Sequence, residues 1–317
     1  MTTVTSTGSV FDPAGPVARA LLETSWLLVV GAALVFAVMF GVSTWVLWSQ
    51  RRPPDAEGAL VRRWIVAGGL AFPGFVLAAL LVHAVRQADA LDPPATDGVE
   101  TVIGVTGHLW WWEVRYHDPR TDLRFALANE IRVPVGQAVT LGLTSSDVIH
   151  SLWVPALAGK VDMLPGRVHQ LRVLADTAGV FRGQCAEFCG EQHARMALQV
   201  VALPPADYER WLAAQARPAE RPADPLAQRG LAVYESARCA ACHDIRGLVP
   251  GASLGPDLTH IGSRLTIGAG TLANDRAALA RWVHRPRAVK PGVRMPSYEH
   301  LDEASLQALA TFLEQLQ

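Results

Sequence analysis

The chain has four cysteines among 317 residues, and all four fall in two tight clusters. Cys185 and Cys189 form C-x3-C within Cys185-Ala186-Glu187-Phe188-Cys189-Gly190-Glu191-Gln192-His193-Ala194-Arg195-Met196. Two thiols, an imidazole and a thioether thus lie within twelve residues. Thiolate and thioether select copper, and imidazole suits it too. Zinc competes, but a structural zinc site rarely uses Met. A two-copper set needs one more imidazole. His150 can supply it, placed just after the strand-like run Val139–Thr144. The second cluster, Cys239-Ala240-Ala241-Cys242-His243, is the C-x-x-C-H signal for covalent haem c attachment, with His243 as an axial ligand. A zinc knuckle or a redox dithiol competes here, but a second ligand pair at zinc spacing is missing. The other axial ligand of such a haem is commonly Met. Met295 is the one Met after His243, and Pro296 behind it disfavours helix and places it on a loop. His260, His284 and His300 are alternatives in type and read as surface residues. No cysteine remains for a long-range disulfide framework.

These sites need elements to hold them, and composition bounds what those are. Half the chain is hydrophobic and 18% is charged, against a typical ~25%. The excess is local: Thr24 to Gln50 contains no acid or base. Trp26 to Trp48 is long enough, at ~1.5 Å per residue, to cross a ~30 Å hydrocarbon layer. Trp26, Trp45 and Trp48 sit where interfacial belts form. A second uncharged run, Trp64 to Val82, contains Pro73 and Gly74, which predicts a kink. A signal peptide for the first run and a buried core helix for the second are weaker readings, because the first is too long for an h-region. Arg51, Arg52, Arg62 and Arg63 outnumber Asp55 and Glu57 between the runs, so that loop is expected on the cytoplasmic side and both termini outside.

The net charge is −1, and no segment is strongly polarised: residues 99–215 carry 10 basic and 12 acidic groups, residues 224–317 carry 10 and 9. A nucleic-acid face is not expected. Of the 28 basic residues only Lys160 and Lys290 are lysines. From Val99 onward, short apolar runs (Thr101–Val105, Ile131–Val135, Ala138–Thr144, Gln170–Leu174, Ala197–Leu203) separated by turn residues read as a β-sandwich or barrel. Residues 216–225 hold three prolines and read as a stiff linker. A helical pattern resumes at Pro225, and Leu306, Leu309, Leu313 and Leu316 form one stripe of a final helix.

Several stretches in order give the chain a family resemblance. Gly107-His108-Leu109-Trp110-Trp111-Trp112, His150-Ser151-Leu152-Trp153-Val154-Pro155, Lys160-Val161-Asp162-Met163-Leu164-Pro165-Gly166-Arg167, and Gly183-Gln184-Cys185 through Met196 resemble subunit II of haem-copper cytochrome c oxidases. The resemblance covers residues 11 to about 215, with the hairpin; residues 226–317, including Gly255-Pro256-Asp257-Leu258, look like a class I cytochrome c. It implies a multidomain membrane protein: a two-helix transmembrane hairpin (24–85, with helices at about 24–48 and 64–85) after an outer segment 1–23, an all-β cupredoxin-like sandwich (99–215), the linker, and an all-α cytochrome c domain (226–317). By resemblance the sandwich holds binuclear CuA. Cys185 and Cys189 bridge the coppers, His150 and Met196 complete one, and His193 and the Glu187 carbonyl complete the other. The Glu187 side chain is then a candidate magnesium ligand facing subunit I. The Pro256 carbonyl matches the one that orients the axial histidine. Trp110 takes the role of the aromatic between the donor's docking site and copper.

The resemblance also implies partners: oxidase subunit I, subunit III, an external cytochrome c or other periplasmic donor, and lipid of a bacterial inner membrane. The oxidase is expected to be proton-translocating, with oxygen chemistry in subunit I. One departure is visible: where many members carry a Glu near the start of the second helix, this chain reads Arg62-Arg63-Trp64, and no proton-channel residue is assigned. The alternative is a free-standing membrane-tethered copper and haem carrier. The paired helices and Glu187 weigh against it, since both call for a subunit I partner.

Overall fold

The computed structural model describes residues 8–49, 58–91, 101–118 and 123–317. It forms two compact units, residues 19–93 and residues 1–18 with 94–317. In the first, helix α1 (Pro16–Ser49) enters from the other unit. It is followed by α2 (Gly58–Val66), a π-helical turn at Ala67–Ala71 and α3 (Phe72–Leu91). Two stretches, Pro16–Ser49 and Gly58–Ala88, are long and apolar enough to cross a membrane. Their large side chains, such as Phe36, Trp48, Leu70 and Phe75, are exposed, which suits contact with lipid. The expected disturbance at Pro73 takes the form of the π turn just before it. Pro73 has no N–H for the ladder, and a wide turn is one way a helix absorbs that loss. The two helices meet at a polar contact, Thr24 Oγ1 to His83 Nε2 at 3.1 Å, the kind of link that holds apolar helices together in lipid. Of the four arginines used for orientation, Arg51 and Arg52 lie outside the described residues, as does Glu57.

The larger unit begins with residues 14–17 against a β-sandwich: Ala14 N–H donates to Ala156 O, and Val17 joins the sandwich core. The strands are β1 (Thr101–His108), β2 (Trp111–Asp118), β3 (Leu123–Ala128), β4 (Glu130–Pro134), β5 (Val139–Ser145), β6 (His150–Trp153), β7 (Val161–Met163), β8 (His169–Val173), β9 (Gly179–Cys185) and β10 (Ala197–Leu203). They make two five-stranded sheets, β3-β2-β1-β5-β8 and β4-β10-β9-β6-β7. Alternate residues of β1 and β5 (Ile103, Val105, Leu141, Leu143) point inward and meet Leu152, Leu198 and Val200 of the other sheet in one core. This is the all-β sandwich expected of the central domain.

Helix α4 (Pro205–Ala216) closes the sandwich with Trp211, whose ring meets Tyr116 edge-on at 5.2 Å. Residues 217–224 then run extended onto a helical domain containing α5 (Pro225–Ser236), a short β11–β12 pair (Thr266–Ile267 and Leu272–Ala273), α6 (Arg276–His284), α7 (Pro286–Val289) and α8 (Glu303–Gln315). The linker is pinned: Arg246 donates to the carbonyls of Gln215 and Ala216, and Ala219 N–H donates to Arg246 O. Asp224, Asp275 and Asp302 cap α5, α6 and α8 by accepting from backbone N–H groups. Helices α5 and α8 cross at Gly230, where a Cβ would stand 2.1 Å from Ala308 O. Tyr234 and Phe312 pack edge-to-face beside the crossing.

The two domains of this unit touch along a buried seam. Glu130 Oε1 pairs with Arg132 at 2.8 Å and with Arg264 of the helical domain at 3.5 Å, while its Oε2 accepts from Leu265 N–H. All three side chains are largely buried, so the charges satisfy one another rather than water.

Candidate metal and haem sites

His150 opens β6, Cys185 ends β9, and Cys189, His193 and Met196 lie on the loop between β9 and β10. The sheet register sets this arrangement. Strands β9 and β10 pair Gln184 with Ala197, and Cys185 N–H donates to Met196 O at 2.9 Å, which closes the loop at its base. Strand β6 lies beside β9 with Leu152 opposite Cys185, so His150 arrives from the side.

The donor atoms converge. Cys185 Sγ is 3.8 Å from Cys189 Sγ, 3.8 Å from His150 Nδ1 and 3.3 Å from the Glu187 carbonyl. Cys189 Sγ is 3.6 Å from His193 Nδ1 and 3.8 Å from Met196 Sδ. Two sulfurs each about 2.3 Å from one metal can stand this far apart, zinc thiolate being the calibrated bond length. All six groups anticipated from the sequence are therefore together: two thiols, two imidazole Nδ1 atoms, a thioether and a carbonyl. Both thiols, the thioether and His150 are buried, and the sulfur-rich set fits copper. Hydrogen bonding within the pair favours ionisation of Cys185 and holds its thiol below the usual range, against the effect of burial. The Cys189 thiol is pushed up by the same contact, with burial adding to it.

Asp147 completes this site and was not anticipated from sequence. His150 Nε2 is 2.8 Å from Asp147 Oδ1, which leaves Nδ1 toward the sulfur. Asp147 also accepts from Leu109 N–H and Val148 N–H. Burial raises its pKa, but these donors outweigh burial and hold the carboxyl below its usual range. A carboxylate behind a ligand imidazole fixes its tautomer and aim. Asp147→Ala is expected to weaken copper retention by about 10–100-fold, the usual cost of such a partner. Competition against a graded series of copper chelators measures it, and wild-type retention in the variant would contradict the role.

The Glu187 side chain lies outside the donor cluster. It is about half exposed, with Lys160 Nζ 4.0 Å away. Phe188 beside it is exposed as well.

In the helical domain, Cys239, Cys242, His243 and Met295 line one cavity of about 430 Å³, within the ~300–1,000 Å³ usual for ligand sites. His243 Nδ1–H donates to Pro256 O at 2.7 Å, so Nε2 is the free ring nitrogen. Burial pushes the imidazole pKa down, with the Pro256 contact opposing, so the ring is a neutral ligand base. His260, His284 and His300 do not line the cavity. His260 is held by the carbonyls of Gln317 and Arg217. Cavity, thiols, oriented imidazole and thioether all fit a covalently attached haem.

The cavity does not end at the domain boundary. Trp110, Trp111, His108 and Asp147 of the sandwich also line it. Trp110 Nε1–H donates to Cys189 O at 2.8 Å. Its ring lies between Gly190 of the Cys185–Met196 loop and Gly292 of the helical domain, both at positive φ. Trp110 thus borders this cavity on one side and the backbone of the Cys185–Met196 loop on the other.

Comparison with known proteins agrees with both domains. The model for cytochrome c oxidase subunit II, periplasmic domain, matches residues 121–203, and the cytochrome c model matches residues 227–317. Cytochrome c oxidase subunit 2 of Alkalihalophilus pseudofirmus is 35% identical over 96% of this chain and 90% of that protein. The chain belongs to the cytochrome c oxidase subunit 2 family. Other subunit 2 relatives include those of Bacillus sp. strain PS3, 31% identical over 75% of this chain and 68% of that protein, and of Bacillus subtilis, 28% identical over 68% and 62%. As a family member with a cytochrome c domain and two apolar N-terminal helices, it is a membrane-anchored electron-transfer subunit. Its two domain families imply copper in the sandwich and haem in the helical domain.

Proposed function

We propose that the chain is the electron-accepting subunit of a proton-translocating cytochrome c oxidase, with both soluble domains on the periplasmic side of a bacterial inner membrane. An external cytochrome c or similar donor delivers electrons to the cytochrome domain. They pass to the sandwich, and from there to subunit I, where oxygen is reduced; subunit III completes the core. Cys185, Cys189, His150, His193, Met196 and the Glu187 carbonyl would hold the binuclear copper, CuA. Cys239 and Cys242 would attach the haem, and His243 and Met295 would hold its iron. When bound, these groups supply one-electron redox chemistry. The protein's work is to fix ligands and exclude water: Asp147 aims His150, Pro256 aims His243, and the sandwich core seals the thiols from solvent. The outward Glu187 side chain would be a candidate ligand for magnesium at the subunit I face.

The position of Trp110 carries this reading, because one side chain borders the cytochrome cavity and donates to a carbonyl of the copper loop. Metal and haem analysis of the detergent-purified full chain tests it. Binuclear copper with a near-infrared mixed-valence band and one covalent haem c are expected; a zinc-loaded, haem-free chain overturns it.

A further inference from the structure

Lys290 is one of two lysines among 28 basic residues, and it is 1% exposed. It follows α7 on the loop leading to Met295, and it also lines the haem cavity. Its ammonium donates to three carbonyl oxygens: Trp110 O at 2.8 Å, Arg195 O at 2.8 Å and Gly268 O at 3.1 Å. Trp110 and Arg195 belong to the sandwich and Gly268 to the helical domain. An ammonium has three N–H donors on a compact head, and each finds an acceptor here. A planar guanidinium cannot reproduce that arrangement, which accounts for a lysine in an arginine-rich chain. The contact is reciprocal: Arg195 Nη1 donates back to Val289 O at 3.0 Å, one residue before Lys290. Ala197 N–H donates to Ala269 O close by. The Glu130–Arg264 pair also joins the domains, but neither residue lines the cavity.

We propose that Lys290 is a positioning residue for interdomain electron transfer, a latch that holds the cytochrome cavity against Trp110. This rests on the electron path proposed above. Lys290 reaches Trp110 through its backbone oxygen while the same tryptophan's indole N–H reaches Cys189 O, so one residue is fixed from both domains at once. With the latch closed, the two sites form one rigid element, and transfer does not wait for a docking motion.

The test uses the assembled oxidase. One electron is injected into the haem by a flash, and arrival at copper is followed in the near infrared, in buffers of increasing viscosity. Lys290→Met is expected to slow transfer by roughly tenfold or more, as a sub-ångström to 1 Å loss of alignment does elsewhere, and to make it viscosity-dependent. The haem and copper bands should stay as in wild type. Hydrogen exchange of segments 107–112, 193–197 and 266–272 should rise in parallel. Lys290→Arg should behave like Lys290→Met. A wild-type rate in Lys290→Met, or an equal loss in Glu130→Gln, overturns the assignment. Should neither Lys290 variant fold, the wild type still decides: its transfer is expected to be independent of viscosity, and dependence overturns the latch. A wild-type chain lacking the haem or copper band defeats the underlying reading instead.

Discussion

Cys189→Ser is expected to empty the copper site while the haem site stays filled. Cys189 is the hub of the donor cluster, with Cys185, His193 and Met196 all within 3.8 Å of its sulfur. A serine hydroxyl is shorter and harder, and it does not ionise at neutral pH, so the soft donor at the centre of the cluster is lost outright. Copper affinity should fall by more than about 100-fold, beyond the 10–100-fold that losing an outer partner costs. The cytochrome domain has its own core around Leu231, Leu309 and Phe312, so the haem band should be unchanged. Oxygen uptake with any donor should cease. Metal analysis with near-infrared spectra checks this, and a variant that keeps full copper would refute the bridging role.

Trp110→Ala should slow electron transfer between the two domains by about 100-fold, the scale that small misplacements reach in reacting systems. The substitution removes the indole that fills the space between Gly190 and Gly292 and deletes the hydrogen bond to Cys189 O. Trp110→Phe keeps a ring but not the N–H, and an intermediate loss of roughly tenfold is expected. Flash injection into the haem separates these effects from donor binding. Unchanged rates in both variants would show that electrons bypass Trp110, for which His108 or Asp147, on the same cavity wall, are the next residues to substitute.

The site was more legible in the sequence than the sandwich around it. Soft ligands at short spacing are rare by chance, and Cys185, Cys189, His193 and Met196 sit on one loop, so proximity in sequence became proximity in space. His150 needed the family pattern, because its nearness to Cys185 depends on β6 lying beside β9. Five strands were visible as apolar runs. Strand β2 was not, since Glu113, Arg115 and His117 alternate with its core residues, and β6 and β7 are too short to show a period. Asp147 looks like any solvated acid in a turn until the register shows what it faces. The shared cavity wall joins residues more than a hundred positions apart, which no local pattern can reveal. Lys290 left a compositional trace, a lysine where the chain otherwise uses arginine, but that trace carries no address.

The donor groups proposed for copper hang on a finished framework. The loop is closed at its base by Cys185 N–H to Met196 O and by the β9–β10 register, while β6 brings His150 through its own backbone pairing. None of these bonds involves a donor atom of the cluster. Small zinc domains obtain their folding free energy from the ion, whereas the backbone bonds that close this loop need no ion. The sandwich can complete its folding first, and metal insertion becomes a later maturation step into a preformed cup.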